Sequence, residues 1–387
     1  MFKQLAVFFF FFCFGFGYVL NPLKPKIHIY IDWATTPALL QMTDFVKQPQ
    51  RDKKFIFWRR FPNLTERVNL AELNAVQIDL PQSEGKNNIC YKIVENSIQM
   101  IYEQNPDTDY VIHTNLWWNE LLIPILRIIP KEHIKHLHIY EDGVSNIVHS
   151  RKHLTTAIKS NHDYASDLQN ILDEKKKYSH HYDLTFHALY PTTYYFGFVD
   201  YAKNDKDFNV FMDFISTATI QEINYEKIAQ KLSEKQKKQI FALVGFEIDE
   251  YKKQIENKPV DFFLLRGAFS SIDEQIKTVP TLFKNDKDRV LVLKEHPSLT
   301  KRVIAQKIKK NIPNTLIFPK HIPFEVLILA DLMPDTISGY TTSVFFVIPK
   351  EKIKYFITSN NDKYLPFLKK LNIITDEQVV QSKKEKQ

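Results

Sequence analysis

Glycine and cysteine are both scarce in this sequence, and several glycine-based signatures are missing. The 387 residues include 8 glycines and 2 cysteines. Neither GxGxxG nor GxxxxGK[ST] occurs, which excludes the usual glycine-rich cradles of dinucleotide and P-loop sites. The GxSxG elbow of α/β-hydrolases is missing as well. Because Cys13 lies in an apolar leader and leaves Cys90 alone, the sequence offers neither a disulfide framework nor a cysteine metal cluster.

The chain also lacks the charge pattern of a nucleic-acid-binding protein. Its formal net charge is +7 and its pI is about 9.0. The lysines are scattered, and no arginine-rich run, zinc finger or aromatic RNA motif accompanies them, which argues against a nucleic-acid partner. The excess charge favours solubility and attraction to anionic surfaces or phosphates. The length and the 44% hydrophobic content indicate about two globular domains.

Residues 1–22 form a segment distinct from the rest. MFKQLAVFFFFFCFGFGYVL has one lysine followed by roughly 16 apolar residues, which is typical of a signal h-region or a short membrane anchor. No clear small-x-small cleavage site follows, so we favour an uncleaved anchor. A secreted or lipid-anchored form stays open.

Strand-like and helix-like segments alternate in two halves of the chain. In the first half we predict strands at 26–33, 54–59, 76–80, 109–114 and 135–140, with helices at 36–47, 90–104 and 119–129. In the second half we predict strands at 261–266, 289–294, 314–318 and 352–358, with helices near 300–310 and 323–331. Strand followed by helix, repeated, predicts doubly wound parallel sheets. Lysine-rich helical segments at about 150–178 and 220–257 separate the two halves.

Polar residues follow several predicted strands at the point where each strand ends. Ligands bind at the carboxyl ends of strands in such sheets, so we expect these loops to line one cleft between two domains. The loops contain Asp32 to Thr35, His113 and Asn115, Glu141 to Gly143, and Lys294, His296 and Pro297. For the acids before Gly143, a turn in which they cap their own backbone is the alternative.

The segment SGYTTSVFF at 338–346 is rich in hydroxyl groups behind one glycine. Its backbone amides and hydroxyls are suited to holding a phosphate at a helix start. Capping of an apolar helix by Thr or Ser explains the same residues equally well. The spacing alone leaves both interpretations open.

Six motifs in order give the chain a resemblance to a known family. They are YIDWATTPALLQMTDF (30–45), YEDG (140–143), LVGF (243–246), KEHP (294–297), IPFEVLILADLMPD (322–335) and GYTTSVFFVIPKEKI (339–353). Together they resemble the bacterial sialyltransferases of glycosyltransferase family 80, of the Pasteurella and Photobacterium type, over about residues 26–375. The resemblance implies a GT-B fold, in which two Rossmann-like doubly wound domains face each other across a cleft.

On this resemblance we expect five segments in the chain. The leader at 1–22 precedes an acceptor-side Rossmann-like domain at 24–185 and a CMP-binding Rossmann-like domain at 186–355. A C-terminal helical segment at 356–378 is expected to pack back on the protein, and a basic tail occupies 379–387.

The resemblance also implies the reaction and the groups that act on the acceptor. Family members transfer sialic acid from CMP-sialic acid to a galactose-type hydroxyl with inversion. Asp142 matches the base that takes the acceptor proton, whereas Glu141 departs from the commoner aspartate at a position that is not the base. His113 matches a histidine near the sialyl and acceptor groups, with a structural strand-end histidine as the alternative. Arg60 matches an arginine of the same cleft, although Arg59 could replace it.

The remaining implied residues bind the donor. His296 matches the histidine that faces the departing phosphate, and Pro297 fixes the turn that directs it. Thr342 and Ser343 fall where the family has two serines on the same phosphate. Glu325 matches the carboxylate that accepts from the ribose hydroxyls, and Lys294 lies where the cytosine is held. Thr35 is a further candidate for substrate binding.

These donor-side groups stabilise the departing phosphate, a role that a divalent metal has in many other transferases. No metal or other cofactor is therefore expected. The expected partners are CMP-sialic acid, a galactose-terminated glycan or glycolipid, and a membrane surface. Because the donor is cytoplasmic, we expect an inner-membrane-associated enzyme with its catalytic domains in the cytoplasm. A GT-B transferase with another nucleotide sugar and an inactive glycan-binding relative are the alternatives. The linkage, α-2,3 or α-2,6, stays open.

Overall fold

The structure is a computed structural model, and it describes residues 24–82, 87–116, 121–143, 163–179, 182, 184–197, 199, 213, 215–266, 272–283, 288–297, 304–358 and 365–381. The predicted leader at 1–22 and the last six residues of the predicted tail, 382–387, lie outside these ranges. Among the described residues, no helix has the combined length and apolar character that a membrane span requires.

A seven-stranded parallel sheet forms the first half of the fold. Its strand order is β3-β2-β1-β4-β5-β6-β7. The strands are β1 (Lys26–Asp32), β2 (Lys53–Trp58), β3 (Ala75–Gln77), β4 (Asp109–Asn115), β5 (Ile134–Tyr140), β6 (Thr192–Phe196) and β7 (Thr219–Glu222). Strands β1 and β4 are buried along almost their whole length, as expected for strands covered on both faces. The order reverses between these two strands, so the loops that follow them diverge and leave a crevice.

Helices accompany this sheet and lead into the second half. Those of the first half are α1 (Thr35–Phe45), α2 (Asn87–Gln104), α3 (Leu122–Ile128) and α4 (Tyr164–Leu172). Helix α1 is apolar on most sides and is almost entirely buried, and its Pro37 lies in the first turn, where no hydrogen bond is lost. Three helices follow the sheet: α5 (Tyr225–Lys231), α6 (Glu234–Val244) and α7 (Ile248–Ile255).

A six-stranded parallel sheet forms the second half, in the order β10-β9-β8-β11-β12-β13. Its strands are β8 (Val260–Leu264), β9 (Val290–Lys294), β10 (Thr315–Phe318), β11 (Thr336–Gly339), β12 (Ile353–Thr358) and β13 (Val379–Gln381). The helices of this half are α8 (Ile272–Phe283), α9 (Ile304–Lys309), α10 (Val326–Leu329) and α11 (Leu365–Lys370). The reversal point lies between β8 and β11. The prediction of two doubly wound parallel sheets is therefore confirmed.

Strand pairing divides the chain at places other than the predicted boundaries. Strands β6 and β7 pair within the first sheet, although the predicted boundary at residue 186 precedes both. Strand β13 pairs with β12, so the second sheet continues through the predicted C-terminal helical segment at 356–378. The first difference arises because β6 (TTYYF) and β7 (TIQE) carry hydroxyl, tyrosine or polar residues instead of an aliphatic run, and the second because β13 (VVQ) is only three residues long. The remaining predicted boundaries stay predictions.

The two halves pack against each other through the helices that connect them. One cluster of buried apolar side chains contains residues of both sheets, including Ile29 of β1 and Val292 of β9. The side chain of Gln236 in α6 donates to the carbonyl of Val46, which follows α1, at 3.3 Å. Helix α6 therefore links the second half to the first.

Candidate active site

The loop after β5 approaches the loop after β11 across the crevice between the two sheets. Gly143 has a φ of +96°, a conformation that other residues rarely adopt. A Cβ atom added to Gly143 would lie 3.4 Å from the Cβ of Ser343. The sequence prediction that loops from both halves line one cleft is consistent with this close approach.

In this cleft Arg60 interacts electrostatically with Asp142 and with His296. Burial raises the pKa of the half-buried Asp142 carboxyl to about 7, and the positive charge of Arg60 opposes that rise. The pKa of His296 lies below its usual value because the surrounding protein desolvates the imidazole. The positive charges of Lys294 and Arg60 lower this pKa further. Arg60 thus lies within electrostatic reach of an acid from the first half and a histidine from the second. Its Nε donates to the carbonyl of Trp33 at 3.3 Å, which fixes the base of the side chain.

Arg59 faces another environment. Its guanidinium lies over the Trp33 ring, 4.8 Å from the ring centroid, and its Nε donates to the carbonyl of Pro81 at 2.9 Å. The structure therefore places Arg60, the predicted residue, near Asp142 and His296, and it gives Arg59 contacts on the neighbouring loop.

Glu141 is more deeply buried than Asp142 and reaches towards the second half. Burial raises the pKa of its carboxyl to about 8; the backbone N–H of Gly197 donates to the carboxyl and opposes the rise, while the charge of Asp142 adds to it. Tyr225, the first residue of α5, is also buried, and the charges of Glu325 and Glu141 help to raise its pKa. The neutral form of Glu141 is therefore favoured at neutral pH.

Lys294 and Glu325 are both buried in the second half and interact electrostatically. Burial lowers the pKa of Lys294 to about 8, and the charge of Glu325 opposes that change. The ammonium group donates to the carbonyl of Lys320 at 2.9 Å. Burial raises the pKa of Glu325, whereas Lys294 and a hydrogen bond from the Thr36 hydroxyl favour its ionised form. Because Thr36 belongs to α1, this bond joins the two halves.

The other predicted donor-side residues lie on the rim of the same region. The Thr342 hydroxyl accepts from the backbone N–H of Val344 at 3.4 Å and caps the 3₁₀ helix Ser343–Phe346. Capping is thus the interpretation that the structure shows for Thr342, while both hydroxyl residues are only half-buried and stay accessible. Pro297 is half-buried beside His296. Thr35 is 8% exposed and begins α1, but the neighbouring Thr36 is the residue that contacts Glu325.

His113 does not lie in the cleft. Its side chain has 0% exposure and stacks on Tyr30 and His138, with ring centroids 4.2 Å and 4.6 Å away. Its Nδ1 lies 3.2 Å from the Tyr140 hydroxyl. The strand continues two residues beyond His113 to Asn115, so the histidine sits inside the sheet and not at its edge. The geometry supports the structural alternative for His113 and leaves no surface for direct contact with a substrate.

One cluster among the described residues has metal-ligand spacing. Ligand atoms of His28, Asp44 and His113 all lie within 4.8 Å of one another. His28 Nδ1 and His113 Nε2 are 3.1 Å apart, which is hydrogen-bond distance, and the Tyr30 hydroxyl donates to Asp44 at 2.8 Å. These contacts satisfy the same atoms without an ion. The cluster belongs to the interior of the first sheet and is separate from the cleft.

Three residues near the cleft escaped the sequence prediction as site residues. Thr36 differs from the predicted Thr35 by one helical position, which rotates the side chain by about 100°. Tyr225 and Gly197 carry no motif, and only the pairing of β6 and β7 with the first sheet brings them close to Glu141. A correct domain boundary was the signal needed to find them.

Comparison with known proteins bears on the family and the fold. Residues 268–380 match the sequence profile of the family described as sialyltransferase PMO188. The resemblance to the bacterial sialyltransferases is confirmed. The matched segment contains the predicted donor-side residues of this sialyltransferase-like chain, from Lys294 to Ser343. A search of curated protein sequences gives no match.

Solved sialyltransferase structures share the fold. An α/β-galactoside α-2,3-sialyltransferase from Photobacterium phosphoreum has a TM-score of 0.76 and 22% identity, covering 92% of this chain and 98% of that chain. A 2,6-sialyltransferase from Photobacterium sp. JT-ISH-224, solved with CMP and lactose, has a TM-score of 0.77 and 20% identity, covering 92% and 78%. The GT-B domain of a Photobacterium damselae sialyltransferase has a TM-score of 0.75 and 20% identity, covering 92% and 99%. The predicted GT-B fold is therefore confirmed.

Proposed function

We propose that this protein is an inverting sialyltransferase that transfers sialic acid from CMP-sialic acid to a galactoside hydroxyl of a surface glycan such as lipooligosaccharide. The observation that carries the proposal is that Arg60 lies within electrostatic reach of both Asp142 from the first half and His296 from the second. The family match over residues 268–380 supports the donor side, and the solved complex of a similar fold with CMP and lactose supports both substrate classes.

Asp142 is proposed as the base that acts on the acceptor. The oxygen of the acceptor hydroxyl attacks the anomeric carbon of sialic acid while its proton passes to the Asp142 carboxylate. A base works best when its pKa lies close to the working pH, because it is then both ionised and basic enough. The pKa of about 7 that burial gives Asp142 suits this role.

His296 and the hydroxyl loop are proposed to act on the leaving group. The bond between the anomeric carbon and the phosphate oxygen breaks, and CMP leaves with the extra negative charge. An imidazole N–H of His296 and the hydroxyls of Thr342 and Ser343 would donate to that phosphate. The buried Lys294 and Glu325 would hold the cytosine and the ribose. Since these fixed donors offset the charge, we propose that transfer needs no metal ion.

The decisive experiment is a donor panel with product analysis. Purified protein is incubated with lactose and either CMP-sialic acid, a UDP-sugar or a GDP-sugar, and the products are separated and their linkage determined. Sialyllactose formed only from CMP-sialic acid supports the proposal. Transfer from another donor would identify a different GT-B enzyme, and lactose binding without turnover would identify a glycan-binding relative.

We also propose that the enzyme works at the cytoplasmic face of the inner membrane. The leader of roughly 16 apolar residues is shorter than the about 20 residues that a full span needs, which favours shallow attachment. Lysine excess adds attraction to anionic lipid. Protease treatment of spheroplasts tests this placement. Digestion of the folded domains from outside the cell would contradict it.

A further inference from the structure

Two glycines of the first half meet the two ends of the 3₁₀ helix Ser343–Phe346 in the second half. Gly143, after β5, lies at the first end, where an added Cβ would be 3.4 Å from the Cβ of Ser343. Gly197, after β6, lies at the other end, where an added Cβ would be 3.3 Å from Cγ1 of Val347, the residue that ends this helix. Because β5 and β6 are neighbouring strands, the loops that follow them contact one helix at both of its ends. Contact at two points fixes the direction of the helix as well as its distance from the first sheet.

Packing, and not backbone conformation, requires a glycine at position 197. The φ of Gly197 lies outside the left-handed range that favours glycine, unlike that of three other glycines among the described residues. An alanine at this position would therefore meet no strain in φ. Its Cβ, however, would lie 2.9 Å from Oε1 of Glu141 and 3.3 Å from Val347, and both distances are shorter than ordinary van der Waals contact. The missing side chain thus leaves room for Glu141 on one side and for Val347 on the other.

Strand β6 and the loop after it also hold the residue that precedes the proposed base. The backbone N–H of Glu141 donates to the carbonyl of Tyr195 in β6 at 3.1 Å. The backbone N–H of Gly197 donates to the Glu141 carboxyl, which is buried. Glu141 is therefore held through both its backbone and its side chain. Gly197 contacts this anchored residue and the second half at the same time.

We propose that Gly197 is a positioning residue, which sets the distance between the proposed base, Asp142, and the proposed phosphate donors, Thr342 and Ser343. It acts through Val347, whose close approach to the loop after β6 holds the 3₁₀ helix against the first half. The acceptor oxygen and the departing phosphate lie on opposite sides of the anomeric carbon during transfer, so the groups that hold them must be aligned with each other. A misplacement of about 1 Å can cost about 10²-fold in rate. The proposal rests on the proposed function, which assigns these roles.

Gly197→Ala in the full-length protein tests the proposal. The added methyl group should push Val347 away by a few tenths of an ångström. The kcat for transfer to lactose should then fall by roughly three- to tenfold. The Kd for CMP, measured by calorimetry, should change little, because the proposed nucleotide contacts all belong to the second half. Gly197→Val, with a larger side chain, should lower kcat further. An unchanged kcat in both variants, or a loss of CMP affinity as large as the loss in kcat, would overturn the proposal.

A second substitution separates the contact with Val347 from the contact with Glu141. In Gly197→Ala/Val347→Ala the Cγ1 atom is gone, so the 3₁₀ helix can return while the Glu141 carboxyl stays displaced. The kcat of this double variant should be close to that of Val347→Ala alone. A double variant as slow as Gly197→Ala would show that the loss arises through Glu141, and the proposal would be wrong.

Gly245→Ala is the matched control for a general loss of stability. A Cβ on Gly245 would lie 2.9 Å from Nη1 of Arg67, and the φ of +72° makes alanine costly there. This contact also joins the two halves, because Gly245 follows α6 and Arg67 belongs to the first half. It does not involve the 3₁₀ helix. The control should lower the melting temperature and leave kcat close to the wild-type value. A fall in kcat equal to that of Gly197→Ala would contradict a specific role for Gly197.

Hydrogen exchange distinguishes failure of this inference from failure of the proposed function, because it needs no substrate. The N–H of Val347 donates to the carbonyl of Val344 at 3.0 Å, so its exchange reports on the 3₁₀ helix. Mass spectrometry of a peptide that spans residues 340–350 should show faster exchange in Gly197→Ala, and wild-type exchange in the double variant and in Gly245→Ala. This pattern supports the inference even if no sialyl transfer is found. Unchanged exchange in Gly197→Ala refutes it even if transfer is found.

Discussion

Replacing Asp142 with asparagine should remove most of the rate. It should also remove the acid limb of the pH profile, that is, the fall of kcat/KM at acidic pH. Asparagine fills the same volume but accepts no proton, so general-base assistance is lost. Such assistance contributes roughly 10²–10⁴-fold, and kcat should fall by that factor. Binding of CMP should stay close to the wild-type value, because the base contacts the acceptor and not the nucleotide.

The pH dependence follows from the environment of Asp142. Burial raises its pKa to about 7, so below neutral pH the wild-type kcat/KM should fall by about tenfold for each pH unit. The residual rate of Asp142→Asn should lack this dependence. Initial rates with lactose as the varied substrate, from about pH 5.5 to about pH 8.5, measure both quantities. Calorimetry with CMP measures nucleotide binding independently of turnover.

Glu141→Gln is the matched control for this prediction. The pKa of Glu141 is raised to about 8, so its carboxyl is mostly protonated at neutral pH and glutamine resembles it in charge. The amide oxygen of glutamine can still accept from Gly197. This variant should retain most of its rate. Equal losses in Glu141→Gln and Asp142→Asn, or an acid limb that persists in the latter, would refute the assignment of the base.

The remaining predictions concern the charges of the cleft, the stability of the fold and the leader. His296→Ala should slow transfer strongly, while EDTA should leave the wild-type rate unchanged; loss with EDTA and recovery with Mg²⁺ would contradict the metal-free proposal. Arg60→Met removes the charge that lowers the pKa of Asp142, so the acid limb of the kcat/KM profile should move to higher pH. An unchanged acid limb would contradict the electrostatic interaction between Arg60 and Asp142. Because the folded state holds the Glu141 proton up to about pH 8, the stability of wild type relative to Glu141→Gln should fall as pH rises from about 4 to about 8. Thermal melts of the two proteins across this range measure the difference. Deletion of residues 1–22 should preserve activity on free oligosaccharides and reduce activity on membrane glycolipid, as vesicle assays would show.

The strands that could be predicted from the sequence are those with aliphatic or aromatic runs. KIHIYID and VLVLK match β1 and β9 closely because strands buried on both faces need continuous apolar residues. The segment TIQE of β7 is half-exposed at the edge of its sheet, so no apolar signal marks it. Strand β7 therefore could not be found from the sequence, and the predicted domain boundary shifted with it.

The candidate site was predictable where topology alone places a residue. The rule that loops at the carboxyl ends of parallel strands converge brought Asp142 and His296 to the same cleft. It failed for His113, because a difference of two residues along β4 separates the interior of the sheet from its edge. Packing in three dimensions also decides between Thr35 and Thr36. Such choices depend on where a helix or strand stops, which local sequence specifies poorly.

The hydrogen bond between Thr36 and Glu325 implies that the proposed nucleotide pocket is ordered before a donor binds. A buried carboxylate without partners would be costly and would tend to protonate or move away. The hydroxyl of Thr36 in α1 and the positive charge of Lys294 both favour the ionised form of Glu325. The proposed donor would then bind to a Glu325 carboxylate that is already desolvated and fixed. Little conformational entropy of this side chain is therefore lost on binding. A carboxylate still has room for further donors, so the ribose hydroxyls can join the bond from Thr36 without breaking the contact between the two halves.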